Sequence, residues 1–226
     1  MTVSPELAER YAAVTAGIAE ACARAGRSSD EVTLVVVTKF HPAALVRDLV
    51  ELGVRHVGEN RHQDAAPKAA ELAGLPLTWH FVGQLQSNKA KAVARYADVV
   101  HSVDRASLVD ALAAADRPVD VFLEVNLTDD AGRGGAAPGQ IEGLAEAVLA
   151  TERLRLRGVM AVAPLGEDAR AAFARLRATG DRLRAIAPEA TDMSAGMSGD
   201  YAQAIAEGAT HLRIGTAITG KRPAPQ

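Results

Sequence analysis

From Thr33 onward the chain repeats one pattern eight times: a short apolar, β-branched run followed by a longer stretch with apolar residues three and four apart. The runs are TLVVVTK (33–39), RHVGEN (55–60), TWHFVG (78–83), VVHSVD (99–104), VDVFLEVN (119–126), LRGVMAV (156–162), ATDMS (190–194) and HLRIG (211–215). Segments between them, such as PAALVRDLVELG and PGQIEGLAEAVLATE, have the spacing of amphipathic helices laid over a parallel sheet. Eight strand–helix units argue for an α/β fold closed into a (β/α)₈ TIM barrel. An open doubly wound sheet would more naturally stop at about five to seven strands, and no glycine-rich dinucleotide loop follows the first run. The 226 residues suit one such barrel, so a single domain over 1–226 is expected. Residues 1–30 are expected to carry an extra helix, with Ser4 as N-cap and Pro5 as first helical residue. Residues 221–226, KRPAPQ, are expected to fray.

A formal net charge of −3 gives no electrostatic footprint for nucleic acid or a membrane surface. No stretch approaches the length of a membrane span, and the N-terminus has early acids and no apolar run, so it does not read as a signal peptide. One cysteine, Cys22, rules out an internal disulfide and the multi-cysteine zinc patterns. The six histidines show no metal-ligand spacing. These features are consistent with a reducing, cytoplasmic setting.

In such barrels the chemistry sits at the C-terminal ends of the strands. Here those ends are polar: Lys39, Glu59-Asn60, His80 to Gly83, Ser102, Glu124 to Asn126, Ser194 and Arg213. Any one of them is explained by a strand end meeting water; the set is what a ring-shaped site requires. Alternation puts Val35, Val37 and Lys39 on one face. If that face is inward, burial favours the neutral amine, the form needed as a Schiff-base nucleophile. The alternative is a rim lysine whose stem packs while its head reaches water. His211, Arg213 and Gly215 likewise share a face opposite Leu212 and Ile214. An inward guanidinium needs an acceptor, either in an ion pair with Glu124 or Glu59 or on a ligand atom. Two glycine-rich turns, Ser194-Ala-Gly196-Met197-Ser198 and Gly215-Thr216-Ala-Ile-Thr-Gly220, follow the last two strands. That is where many barrels hold a phosphate, although Ser198 also reads as a helix N-cap. Lys89, in Asn88-Lys-Ala-Lys91, reads as a solvated helix start or a group near an anion.

The segments VVVTKFHP (35–42), GVRHVGENRHQ (53–63), WHFVGQLQSNK (79–89), HSVD (101–104), EVN (124–126), RGVMAV (157–162) and MSAGMSGDYAQAIAEGATHLRIGTAITGKR (193–222) together resemble the YggS-type pyridoxal phosphate homeostasis proteins. The resemblance runs through nearly the whole chain in order. Its fold is similar to the barrel domain of alanine racemase, the type III fold of pyridoxal 5′-phosphate (PLP) proteins. It implies PLP as cofactor, held as an aldimine on Lys39. It implies that Ser198, the backbone at Gly215 and Thr216 and the turn at Ser194, Gly196 and Met197 hold the phosphate, that Arg213 faces the pyridine nitrogen, and that Asn60 and Met160 line the ring pocket. An arginine there disfavours a proton on the ring nitrogen and makes the ring a weak electron sink. That suits a non-catalytic carrier with apo PLP enzymes as recipients, and the missing second racemase domain implies a monomer. One departure is Arg133, where relatives often carry a lysine: it keeps the charge but not the capacity for a second Schiff base. The alternatives are an alanine or amino-acid racemase, for which Tyr201 is the nearest tyrosine, and a Schiff-base aldolase acting on a sugar phosphate.

Overall fold

The computed structural model describes residues 3–130 and 132–221. Eight parallel strands close into a barrel in chain order: β1 Thr33–Val37, β2 His56–Glu59, β3 Thr78–Phe81, β4 Val99–Val103, β5 Val119–Glu124, β6 Leu154–Met160, β7 Asp192–Ser194 and β8 His211–Ile214. β8 returns to β1 with Val36 opposite Ile214 and Val35 opposite Arg213. A helix follows each strand in turn: α2 Ala43–Glu51, α3 His62–Glu71, α4 Ala90–Val93, α5 Ala106–Ala113, α6 Ile141–Leu149, α7 Ala169–Leu183, α8 Tyr201–Ala206 and α9 Thr216–Thr219. The expected (β/α)₈ barrel is therefore the observed one.

Period-two alternation sorts the strand residues. Val36, Val57, Leu123, Leu212 and Ile214 face the helices in one continuous apolar core. Val99, Phe122 and Met160 form a separate cluster inside the barrel. β6 alternates buried Leu154 and Leu156 with exposed Arg155 and Arg157, so it starts earlier than the apolar run alone suggests. Its register then shifts at Gly158, whose φ of 153° and close approach to the Asp192 carbonyl leave no room for a Cβ.

α1 Pro5–Arg24 precedes the barrel. Its Ser4 cap accepts a hydrogen bond from the Leu7 amide at 3.4 Å, as its sequence implies. α1 buries Leu7, Val14, Ile18, Ala21 and Cys22 and packs on α8 and α9. Arg10 Nε donates to the Ile218 carbonyl at 2.7 Å, and Arg27 Nη1 donates to the carbonyls of Ile205 and Ala209 at 3.1 and 2.8 Å. The first element is thus fastened to the last. Of the tail expected to fray, all but Lys221 lies outside the described residues.

Candidate functional site at the C-terminal mouth of the barrel

β1 delivers Lys39 to the mouth but not into the barrel. The ladder ends at Val37, and the Thr38 amide donates to the Gly58 carbonyl at 2.9 Å. Beyond it Phe40 takes φ 68°, a left-handed conformation uncommon for an aromatic residue. Lys39 is exposed, with its Nζ 6.0 Å from the centroid of the Phe40 ring. Of the two readings open from the sequence, the rim position is the one observed: the alternation that would carry Lys39 inward stops two residues before it. Its backbone is nonetheless firmly held. Thr38 is fully buried, its Oγ1 donates to Glu59 Oε1 at 2.7 Å, and Lys68 Nζ donates to the Thr38 carbonyl at 3.0 Å and to Glu59 Oε1 at 2.5 Å. Lys68 comes from α3, where it shares the buried face with Ala65 and Leu72. A charged residue on an otherwise apolar helical face was the available signal for this pair.

Arg213 is buried inside the barrel, on the face that alternation assigns to it. Neither Glu124 nor Glu59 is its hydrogen-bond partner. Nη1 donates to Ser194 Oγ at 2.5 Å and Nη2 to the Ala161 carbonyl at 2.9 Å. Burial pulls the guanidinium down to about 10, against the opposing charges of Glu124 and Asp200. Met160, at the end of β6, is buried on Phe122 and Val99. A cation with no carboxylate bond among the described residues thus stands at the level of the mouth, beside apolar side chains.

The two glycine-rich turns are adjacent because β8 holds both. The Ala195 amide donates to the His211 carbonyl at 3.0 Å and the Arg213 amide to the Gly196 carbonyl at 2.9 Å. Gly196 has φ 94° and sits so close to Ala204 and Tyr201 that a Cβ would be 2.8 Å from the Ala204 methyl. A Cβ at Gly215 would lie 3.3 Å from the Val37 carbonyl, which sets the second turn beside the end of β1. Ser194 hydroxyl is committed to Arg213 and to His101 Nδ1 at 2.8 Å, and the Met197 amide to Asp200 Oδ1 at 2.6 Å. Asp200 is the residue at the N-cap of α8, so the capping reading of Ser198 is replaced: Ser198 lies two residues earlier, with its hydroxyl and amide outside the hydrogen bonds of the described residues. The amides of Gly196, Gly199, Thr216 and Ala217 make no backbone bond either.

Four buried oxygens at the ends of β2, β4 and β5 have no partner among the described residues: Glu59 Oε2, Asn60 Oδ1, Ser102 Oγ and Glu124 Oε2. Asn60 is pressed by Gly83, where a Cβ would meet the Asn60 Cα at 2.8 Å. Glu124 is pushed up to about 7, chiefly by burial and then by the Asp104 charge, against Arg213 and Arg133. A mouth with orphaned polar atoms, unspent amides in two turns, an accessible lysine and a buried cation fits a phosphorylated carbonyl compound. The observed residues therefore match the donor set that PLP needs. Arg133 Nη2 donates to the Ala163 carbonyl at 3.1 Å, tying the loop after β5 to the loop after β6, while Lys89 is exposed at the end of a short 3₁₀ turn. The hydroxyl of Tyr201 lies against Gly17 of α1, on the outside of the barrel.

Residues 11–223 match the family described as alanine racemase, N-terminal domain. The chain is 46% identical over 223 residues to the pyridoxal phosphate homeostasis protein of Pseudomonas aeruginosa, covering 96% of each, and 38% identical to that of Escherichia coli, covering 96% of this chain and 97% of that one. The chain belongs to the pyridoxal phosphate homeostasis protein family. Among solved structures of similar sequence is PipY of Synechococcus elongatus with PLP bound, at 37% identity and a TM-score of 0.81, covering 95% of this chain and all of that one. Alanine racemase of Corynebacterium glutamicum shares the fold, with a TM-score of 0.71 at 15% identity, and extends beyond it: the chain spans 62% of that enzyme. No helix among the described residues is long and apolar enough to cross a membrane.

Proposed function

We propose that this protein binds PLP at the barrel mouth and serves PLP homeostasis in the cytoplasm as a carrier rather than as an enzyme. The observation that carries the reading is the buried Arg213, which sits between the Lys39 strand and the two turns with no carboxylate among the described residues bound to it. Lys39 is the residue to hold the cofactor aldehyde covalently. Ser198 and the unspent amides at Gly196, Gly199, Thr216 and Ala217 are the groups to take its phosphate, and Asn60 and Met160 flank the ring. When bound, PLP supplies an electrophilic carbonyl and a ring that can accept electron density. An arginine at the ring nitrogen keeps that nitrogen unprotonated and limits the second property. Racemisation also needs an acid and a base on two faces of the substrate. Tyr201, the nearest tyrosine in sequence, has its hydroxyl turned to α1. Exposure of Lys39 suits a cofactor that is taken up and released, with apo PLP enzymes as recipients and a monomer as the delivering species.

The test is the visible spectrum of the purified protein with added PLP, followed by borohydride reduction and mass mapping. A yellow band that reduction abolishes, with pyridoxyl mass on Lys39, is expected; Lys39→Ala is expected to lose the adduct. Full adduct on Lys39→Ala would overturn the lysine assignment. Steady turnover of alanine between its enantiomers would overturn the carrier reading.

A further inference from the structure

The inside of the barrel below Arg213 is filled by histidines, a feature that PLP binding does not use. Ser194 Oγ lies 2.8 Å from His101 Nδ1, His101 Nε2 lies 2.8 Å from His80 Nδ1, and His80 Nε2 lies 3.0 Å from His56 Nδ1. The rings come from consecutive inward positions of β4, β3 and β2 and are tilted by 53° and 54° to one another. His101 also stacks on Phe122, with centroids 4.6 Å apart. His80 and His101 are buried, and burial holds both imidazoles well below their ordinary range, so each ring is neutral. His56 and His80 also line a pocket of about 270 Å³ at the opposite, N-terminal face of the barrel, with Thr33, Thr78, Asp120 and His211. Among the described residues no group of three metal-ligating side chains is arranged to hold an ion, because the facing nitrogens are spent on one another.

A neutral imidazole has one donor nitrogen and one acceptor nitrogen, so a chain of them must run in one direction. Arg213 Nη1 can only donate to Ser194 Oγ. If His101 also donated to Ser194, the serine proton would have no acceptor among the described residues. If instead Ser194 donates to His101 Nδ1, every group from Arg213 to His56 Nδ1 is satisfied: His101 Nε2–H donates to His80 Nδ1 and His80 Nε2–H to His56 Nδ1, and His56 itself lines the pocket. We propose that His101, His80 and His56 are positioning residues forming a one-directional hydrogen-bond chain from Arg213 through Ser194 to the far face of the barrel, and that this chain fixes the guanidinium where it meets the cofactor ring. This rests on the PLP reading for the identity of the ring, but the order of the chain belongs to the protein alone. It also explains why Ser194, a residue at the phosphate turn, points down into the barrel.

The order is tested on ligand-free protein by long-range ¹⁵N–¹H NMR of labelled histidines near neutral pH. All three rings are expected as the Nε2–H tautomer; an Nδ1–H tautomer at His101 or His80 would overturn the proposal. The consequence is tested with a pair of variants loaded with PLP. His101→Asn can place Oδ1 where Nδ1 stood and keep an acceptor for Ser194; His101→Leu cannot. His101→Leu is expected to shift the cofactor absorption band and its pH titration and to weaken PLP binding by about tenfold, the scale of one lost hydrogen bond in a charged network. His101→Asn is expected to keep the wild-type band. A His101→Leu protein with wild-type spectrum and affinity would overturn the positioning role. A wild-type protein that takes up no PLP while showing the Nε2–H order would overturn the cofactor reading and leave the chain standing. The tautomer measurement needs no variant, so misfolding of either one cannot mask the answer.

Discussion

Glu124 presents a carboxyl at the mouth whose charge state changes near neutral pH. Its carboxyl, pushed up to about 7 by burial and by Asp104, binds more protons in the folded state than in the unfolded one between roughly 4.5 and that value. Stability therefore falls as pH rises through this window, and the loss is complete above it. In the ligand-free protein the loss from this group is expected to be about 1–3 kcal/mol between about pH 5 and pH 8. Relative to wild type, Glu124→Gln is expected to gain that amount of stability between the two pH values, because the buried histidines, whose opposing contribution both proteins share, cancel in the difference; urea midpoints at the two pH values would measure it. An unchanged slope would place the charged carboxylate in contact with more water than its orphaned Oε2 implies. At this scale the sequence was partly legible. Strand-end position put Lys39 at the mouth, and alternation put Arg213 on the inward face of β8. They could not show that the alternation fails after Val37, since that depends on where the Gly58 carbonyl ends the ladder. Nor could they show that His56, His80, His101 and Ser194 touch. Alternation assigns a face of the strand, whereas the level at which four strands meet is set by the stagger of the closed barrel.

At the scale of elements, the mouth depends on how α3 supports β1 and β2. Lys68 crosses from the helix to Glu59 and to the Thr38 carbonyl, both buried. Removing one member of a buried pair strands the other charge, which typically costs about 3–5 kcal/mol, whereas replacing both with apolar groups is often nearly neutral. Lys68→Met is thus expected to be severely destabilised, and Glu59→Leu with Lys68→Met is expected to recover most of the loss. A double-mutant cycle in denaturant measures the coupling. The double variant is expected to bind PLP more weakly even where its stability returns, because Thr38 then loses the bonds that hold the peptide before Lys39. The eight strands were legible as apolar runs, and their order followed from the short connections. The ends of β6 were not: Leu154 and Leu156 alternate with arginines that reach Asp120 and Asp192 across neighbouring strands, a pattern whose meaning appears only with those partners in place.

At the scale of the molecule, α1 and the turn that follows it fasten an early segment of the chain to α8 and α9. Arg27 satisfies two carbonyls, those of Ile205 and Ala209, at the far end of the chain. Arg27→Ala is expected to cost about 1.5–3 kcal/mol, the range for hydrogen bonds from a charged donor, and to lower Tm by several degrees. Calorimetry would measure it, and loss of the exposed Arg24–Glu20 pair is the natural control, with little expected effect. The sequence foretold the helix and its Ser4 cap, but not its docking site, because no local pattern encodes a partner some 180 residues away. That separation has a consequence during synthesis. The ribosome delivers α1 well before its seat, so Leu7, Val14 and Ile18 must wait uncovered while the intervening barrel is made, and β1 must wait comparably long for β8. The nascent chain is therefore most vulnerable to wrong association at α1 and β1. Emergence of β8 and α9, rather than any earlier step of elongation, is the moment at which both surfaces are covered.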